Sequence, residues 1–452
     1  MNRTFAKDST KLVDKRVRLL GRIHTIRDHG KITFVDLSDE TGQVQCVLKE
    51  KIDLLEGDIA EIEGTIKKRP KELVNNNLET GTVEVVVESA KVISKSKPVP
   101  IPTDGDGYDI EEALRLRYRF LDLRRERLQK NLRLRNSAAI LAREYLNKEG
   151  FVEVETPYLS KTTPEGARDF LVPSRLHLGK FYALTQAPQQ YKQLLMIAGF
   201  EKYFQFARAF RDEDLRADRQ FEHTQIDIEA AYVKREDILK VVEGLTTFVA
   251  EAMGKKIYKK PFPIFTYKEA VEKFKQDKFD MRAKKDKDTL AFAWVVDFPL
   301  LEYDEKEKRY TFSHNPFTAP KEESVGDLMK LANLDKIESY QYDLVLNGEE
   351  IGSGSIRITD PKVQRQVFAA MGYSDKKIDS DFGHLLEAYE YGAPAHGGIA
   401  LGFDRLCAVL AGEKSIREII AFPTSGSGQT SVMDAPSVVD DTIIADLGIK
   451  KR

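Results

Sequence analysis

Between residues 14 and 93 the apolar positions come in short, β-branched, partly alternating runs. The stretches 18–23, 31–37, 44–48, 58–66 and 82–93 each read as a strand, because period two turns one side-chain face to a core and the other to water. Gly30, Thr41-Gly42, Glu56-Gly57 and Thr80-Gly81 punctuate the runs as turns. Five such strands fit a small Greek-key barrel of the OB type, with another small β-barrel as the alternative. Pro98, Pro100 and Pro102 followed by TDGDG form a stiff, then loose connection. Residues 1–97 are therefore taken as one domain and 98–115 as a linker.

From Glu112 the rhythm changes. Over 126–149, Leu128, Leu132, Ala139 and Leu146 recur at helical spacing, and Gly150 ends the run. Strands and helices then mix without a βαβα beat, which predicts an α+β domain over 116–452 with a mostly antiparallel sheet. The lysine-rich stretch 255–288 reads as a surface excursion. The basic run 115–135, RLRYRFLDLRRERLQKNLRLR, reads either as a solvated helix face or as a contact to a phosphate backbone or to the linker.

Composition narrows this picture. Of 452 residues, 41% are hydrophobic and 32% charged, the balance of a folded globular chain. Lys+Arg 71 against Asp+Glu 73 leaves a net charge of −2, which excludes a polybasic coat but permits a local basic face. Two cysteines, Cys46 and Cys407, cannot build a disulfide scaffold or a cysteine-rich zinc module. The start, MNRTFAKDST, is not apolar and no run reaches membrane-spanning length, so a cytoplasmic protein without membrane contact is expected.

Four segments could carry chemistry. In FQFARAFRDEDLRADRQFEHTQIDIEAAY (204–232), His223, Gln225, Asp227 and Glu229 share one strand face while Ile226 and Ile228 take the other. The forked guanidiniums of Arg211, Arg216 and Arg219 suit a polyphosphate. In YQYDLVLNGEEIGSGSIRI (340–358), Asn347-Gly348 predicts a two-residue hairpin turn. Val345 then opposes Glu350, so Asp343 and Glu350 lie on one face and need a compensating charge unless they are simply solvated. Strict alternation puts Arg357 on the opposite face, and a bulge in Gly352-Ser353-Gly354 would turn it back. In APAHGGIALGFDRLCAVL (393–410), Gly397, Gly398 and Gly402 would let a ligand lie against the backbone, with Arg405 at the strand end. Finally, TPEGARDFLVPSR puts Glu165 in a turn, and in TQAPQQYKQLL the residues Gln189 and Lys192 project the same way from a helix. Neither a P-loop nor a dinucleotide-binding glycine fingerprint occurs.

Taken in order, TPEGARDFLVPSR, QAPQQYKQLLM, FRDEDLRADRQ, HTQIDIE, GEEIGSGSIRI and GAPAHGGIALGFDR resemble the class II aminoacyl-tRNA synthetases in their bacterial aspartyl branch. The likeness runs from the barrel to DAPS near Ala435. It implies an antiparallel catalytic sheet flanked by helices, an OB barrel that reads the anticodon, and a homodimer formed through the long helix and VEVETPYL with Pro157. It implies activation of L-aspartate by ATP to an aspartyl-adenylate and its transfer to tRNA(Asp). Arg211 and Arg405 are then the catalytic arginines. ATP falls to Arg211, Asp212, Glu213, Gln220, His223, Glu350, Gly402, Phe403, Asp404 and Arg405, and Mg²⁺ to Asp343 and Glu350. Aspartate falls to Glu165, Gln189 and Asp227 at its ammonium, to Lys192 and Arg357 at its side-chain carboxylate, to Arg211, and to His314 closing over it. Asparagine would leave the two cations without a carboxylate, and the sister asparaginyl enzymes would not need that pair. Arg27, His29, Phe34 and Gln45 match positions that meet anticodon bases.

Departures from the pattern carry their own expectations. His223 stands where phenylalanine is usual, able to stack on adenine but open to titration. Val47 replaces a second anticodon-facing aromatic. The large insertion between the second and third motifs is reduced to the region 254–290. His24 and His29 occupy barrel-loop positions where histidine accompanies relatives that also charge tRNA(Asn), so that tRNA is expected as a second acceptor.

Overall fold

The computed structural model describes residues 2–50, 52–164 and 166–450, and the chain divides into two compact units that meet between Thr103 and Asp104. In the first, alternation produces five strands: β1 (Arg16–Asp28), β2 (Thr33–Asp39), β3 (Gly42–Leu48), β4 (Ile59–Lys68) and β5 (Val83–Ser94). Strand β1 pairs with both β2 and β4, β3 runs parallel to β5, and β5 pairs antiparallel with β4, which closes the ring. Val17, Leu19, Val35, Leu37, Cys46, Ile62 and Val85 fill its interior. The barrel turns sharply at Gly64, where an added Cβ would fall 2.3 Å from the Val86 carbonyl oxygen and where the β4–β5 register shifts.

The second unit is built on an eight-stranded sheet. Its strands are β6 (Val152–Glu153), β7 (Lys202–Phe210), β8 (Glu222–Ala231), β9 (Ile264–Thr266), β10 (Phe292–Val296), β11 (Gln341–Leu346), β12 (Glu349–Ile356) and β13 (His396–Gly402). The order is β9-β10-β11-β12-β13-β8-β7-β6; only the outer pairs, β9 with β10 and β7 with β6, are parallel. Helices α1 (Glu126–Lys148), α2 (Gln189–Ile197), α3 (Arg235–Ala252), α4 (Tyr267–Phe274), α5 (Pro361–Ala370), α6 (Asp375–Glu390) and α7 (Phe403–Ala411) accompany it. One face of the sheet carries Ile226, Ile228, Trp294, Leu344, Ile399 and Leu401, which pack against apolar positions of α1, α3 and α7. Each such aliphatic side chain contributes about 1.5–3 kcal/mol by leaving water. That burial fixes which way every strand faces, and so commits the alternate positions to the opposite face.

Two sequence expectations change here. The basic run 115–135 is divided: Lys130 keeps an exposed pair with Glu126, Arg125 and Arg127 donate to the linker carbonyl oxygens of Asp104 and Asp106 as one alternative expected, and a buried set of arginines is committed elsewhere. The Asp122 carboxylate accepts from Arg115 Nε at 3.1 Å, Arg119 Nη1 at 2.7 Å and Arg125 Nε at 2.7 Å, all buried. Arg115 and Arg127 reach Glu418 at 2.8 and 2.9 Å, so these cations bind the start of the unit to its end. The lysine-rich stretch is no mere excursion either. It supplies the edge strand β9, and Phe262 stacks on Phe292 of β10 with ring centres 4.6 Å apart. Among the described residues no helix is long and apolar enough to cross a membrane.

Candidate active site

The polar face of β8 forms the floor of the site. Because Ile226 and Ile228 are held in the core, Gln225, Asp227 and Glu229 point the other way, yet they are 4% exposed or less. Helix α2 crosses above them and lowers Lys192 onto the strand. Its Nζ lies 2.8 Å from Asp227 Oδ1 and 3.2 Å from Glu229 Oε2. Arg357 arrives from the end of β12 and donates from Nε and Nη2 to the two Glu229 oxygens at 2.9 and 3.1 Å, and from Nη1 to Ser355 Oγ at 2.7 Å. A bulge is present, one residue ahead of the Gly352-Ser353-Gly354 expected to hold it: Leu344 pairs with Gly352 but Val345 with Glu350, so one extra residue of β12, Ile351, restores Arg357 to the face of Asp343 and Glu350.

These four groups form a closed quartet of two cations and two anions. Burial works to raise the Glu229 carboxyl, but Arg357 and Lys192 overcome it and hold it down at about 2. Burial likewise works against the Arg357 charge, and Glu229 more than restores it. The structure gives the two cations a partner that the sequence reading did not assign to them: Glu229 lies against both. The alternation made Glu229 visible as part of a polar face, but only the arrival of α2 and Arg357 gives it a role. Gly398 is corrected with it. A Cβ there would fall 2.2 Å from Glu229 Oε2 and 2.0 Å from the Ile228 carbonyl oxygen, so the absent side chain makes room for this carboxylate rather than for a ligand.

The cationic rim stands at the ends of β7 and β13. Arg211 opens the loop after β7, its Nε 3.4 Å from the Gln186 carbonyl oxygen. Arg405 donates from Nη1 to the Glu350 carbonyl oxygen and from Nη2 to Asp218 Oδ2 at 3.3 Å. His223 sits between them on β8. Burial, then Arg211, Arg405 and Arg208, depress its imidazole to about 3, so the ring stays neutral at physiological pH and the expected titration does not arise. Glu213 pairs with Arg219 at 3.2 Å, and Asp212 lies 3.6 Å from Arg168.

Three residues of the expected nucleotide set are turned elsewhere. Phe403 is in the core, and Asp404 spends one oxygen on Arg135 and the other on the Thr224 amide at 2.9 Å. Gln220 is buried and accepts from the Thr424 amide at 2.7 Å. Their side chains brace the site from behind, whereas a Cβ added at Gly402 would meet only ordinary contacts, the nearest the Ile351 carbonyl oxygen at 3.7 Å.

The acidic side is the β11–β12 hairpin. Asp343, 2% exposed, accepts from Gln341 Nε2 at 2.9 Å, and His314 Nε2 lies 3.1 Å from its other oxygen. Burial opposes the His314 charge, but Asp343 raises its pKa overall. Glu350 pairs with Lys278 at 2.7 Å. His314 thus lies against Asp343 as part of this acidic cluster. Gln189 Nε2 lies 3.3 Å from Gln193 Oε1, and Glu165 lies outside the described residues. Asp343 and Glu350 are acceptor-only oxygens on one face, which suits a hard divalent cation. Among the described residues no cluster of three or more metal-ligating side chains occurs, so such a cation would complete its shell from phosphate oxygens and water.

On the barrel, Arg27 opposes Phe34, Phe34 opposes Val47, and Asp36 opposes Gln45, which puts all five on one face. Arg27 forks onto Asp36 at 2.7 and 3.1 Å and reaches Gln45 at 3.3 Å. Phe34 is half-buried, outside the core cluster, and the exposed His29 meets it edge-on at 5.5 Å.

Comparison with known proteins identifies both units of the chain. Residues 111–426 match the family described as tRNA synthetases class II (D, K and N), and residues 17–93 match the OB-fold nucleic acid binding domain. An aspartate–tRNA(Asp/Asn) ligase of Thermoanaerobacter sp. (strain X514) is 39% identical over 97% of this chain and 96% of its own. An aspartate–tRNA ligase of Thermosipho africanus is 38% identical over 99% and 97%. The first alignment runs over 572 positions against 452 residues here, so that relative carries an extra stretch that this chain lacks. The asparaginyl-tRNA synthetase of Pyrococcus horikoshii complexed with asparaginyl-adenylate superposes with a TM-score of 0.74 at 23% identity, covering 94% and 98%. The aspartyl-tRNA synthetase of Entamoeba histolytica superposes with 0.74 at 21%, covering 93% and 91%. With the barrel, the antiparallel sheet and these relatives together, the chain belongs to the class II tRNA synthetases of the D, K and N group.

Proposed function

We propose that the protein is an aspartate–tRNA ligase that uses ATP to activate L-aspartate and charges both tRNA(Asp) and tRNA(Asn). The observation that carries the choice of amino acid is the neutral quartet on the floor. Aspartate brings an ammonium and a side-chain carboxylate into it, and the sum stays zero with Asp227 facing the ammonium and Lys192 with Arg357 facing the carboxylate. Asparagine brings the same ammonium with a neutral amide and leaves one uncompensated buried charge, a penalty of about 3–5 kcal/mol.

In the first step an oxygen of the α-carboxylate attacks the α-phosphorus of ATP. The new oxygen–phosphorus bond forms as the bond to the β-phosphate breaks, and pyrophosphate leaves. Arg211 neutralises charge at the α-phosphate, Arg405 takes the far phosphates, His223 offers a neutral stacking ring, and Glu213 orders the rim through Arg219. Catalysis is positioning and charge neutralisation. Asp343 and Glu350 would hold Mg²⁺, which supplies charge neutralisation at the phosphates when bound. In the second step a terminal ribose hydroxyl of the tRNA attacks the acyl carbon and AMP leaves. Arg27, His29, Phe34 and Gln45 present the anticodon platform. The reading places the protein in the cytoplasm with its tRNA, in keeping with two buried free thiols. It also includes the homodimer through α1 and VEVETPYL, where Ile140, Val152 and Leu159 are exposed.

Aminoacylation of purified tRNA(Asp) and tRNA(Asn), each with aspartate and with asparagine, tests the proposal. Aspartate on both tRNAs is expected. Asparagine as the preferred amino acid would overturn it, and rejection of tRNA(Asn) would remove the second acceptor.

A further inference from the structure

Lys278 is the one contact that the reduced insertion region makes with the acidic hairpin by an ion pair among the described residues. Its Nζ lies 2.7 Å from Glu350 Oε2, with the lysine side chain 47% exposed and the glutamate 24%. The backbone that delivers it is pinned. Phe279, next in sequence, is buried and stacks on Phe274 of α4 with centres 3.9 Å apart and planes 10° from parallel. Asp280 is forked by Arg282 at 3.0 and 2.9 Å, and Arg282 Nη1 also donates to the carbonyl oxygens of Asp286 and Thr289 at 2.6 and 2.9 Å. A rigid base with a long, half-exposed ammonium arm is the arrangement of a group that holds a position and can leave it.

Charge makes the role specific. Glu350 and Asp343 share a face; Lys278 pairs with Glu350, and His314 lies against Asp343. Arg405 fixes the Glu350 backbone oxygen, which leaves only the carboxylate end free to exchange partners.

We propose that Lys278 is a positioning residue that holds the Glu350 carboxylate in place of a divalent cation until the metal–nucleotide arrives, so that metal entry is an exchange of one cation for another. The proposal rests on the reading of Asp343 and Glu350 given above. It predicts that the ammonium opposes metal binding to the free protein and swings into solvent when the exchange occurs.

The experiment uses the full chain and Mn²⁺, whose free aquo signal in electron paramagnetic resonance counts unbound metal directly. Without nucleotide, Lys278→Met should bind Mn²⁺ at least about fivefold more tightly than the wild type, because Glu350 loses its competing cation. Lys278→Arg, which keeps the charge, should stay near the wild-type value. In parallel, reductive methylation read by mass spectrometry should label Lys278 several-fold faster once Mg²⁺ and the β,γ-methylene analogue of ATP are added. Thermal melts of each variant establish that it is folded. Unchanged or weaker Mn²⁺ binding by a folded Lys278→Met protein would overturn the proposal, as would labelling that is insensitive to the metal–nucleotide. Aspartate-dependent pyrophosphate exchange by the wild type is measured alongside. Its absence would sink the functional reading, whereas the Mn²⁺ titration judges Lys278 either way.

Discussion

Replacing Arg357 by leucine tests the neutral quartet most directly. Lys192, Asp227, Glu229 and Arg357 are each 3% exposed or less, so water cannot rebalance their charges. The variant leaves Lys192 alone against two carboxylates and strips Glu229 of its two-pronged partner. With Arg357 and Lys192 present, the Glu229 carboxyl stands at about 2, against ~4.3 for a free side chain. At ~1.4 kcal/mol per pH unit, the two cations contribute roughly 3 kcal/mol beyond the cost of burial. That agrees with the ~3–5 kcal/mol lost when one member of a buried pair is removed.

Aspartate must now enter a site with a net negative charge, so its kcat/KM should fall by about 10²–10³, the same energy expressed at ~1.4 kcal/mol per decade. Asparagine brings a cationic ammonium and a neutral amide, which suit the altered site. The aspartate-to-asparagine ratio should therefore shrink by about two orders of magnitude. The double variant Arg357→Leu/Glu229→Gln restores neutrality; it should regain much of the stability in urea titrations but none of the aspartate activation. Pyrophosphate exchange with each amino acid is the assay. A folded Arg357→Leu protein with aspartate kcat/KM within threefold of the wild type would refute the charge argument, as would recovery of aspartate activation in the double variant.

Three further outcomes follow from the geometry. Because the folded-state Glu229 value of about 2 lies below its unfolded value, its contribution is complete above pH ~4.3 and disappears as pH falls toward 2; the urea midpoint should drop across that window, and the drop should be smaller in Glu229→Gln. His223, at about 3, is neutral from pH 6 to 8, so His223→Phe should leave the shape of the pH–rate profile unchanged there; loss of a limb would show that the ring titrates. Phe34→Ala should weaken tRNA binding about 10–100-fold, the ~1–3 kcal/mol of one stacked base, while tRNA-free pyrophosphate exchange holds at its wild-type rate; equal binding would remove Phe34 from the platform.

Period two made the local layout legible. It set the five barrel strands close to their observed limits and put Asp343 and Glu350 on one face, but by itself it put Arg357 on the other, and the bulge that returns Arg357 lies at Ile351, just before the glycines offered for it. It also separated His223, Gln225, Asp227 and Glu229 from Ile226 and Ile228. It could not say that the polar side of β8 would be covered, because cover comes from α2, whose approach depends on packing far along the chain. Hence the pairing of Lys192 and Arg357 with Glu229 was not legible, and a glycine that looked like room for a ligand proves to be room for that carboxylate. The arginines around Asp122 follow the same logic: a run of charge looks solvated unless its partners, here Glu413 and Glu418 nearly three hundred residues away, are known. Lys278 is the limiting case. It is one of eleven lysines between 255 and 287, and neither spacing nor neighbours distinguish it. Only the stacked Phe279 and the Asp280–Arg282 fork fix its backbone beside the hairpin, and only that placement brings its ammonium to the Glu350 carboxylate. Sequence pattern reports which face a side chain takes; the chemistry of this site resides in which faces meet.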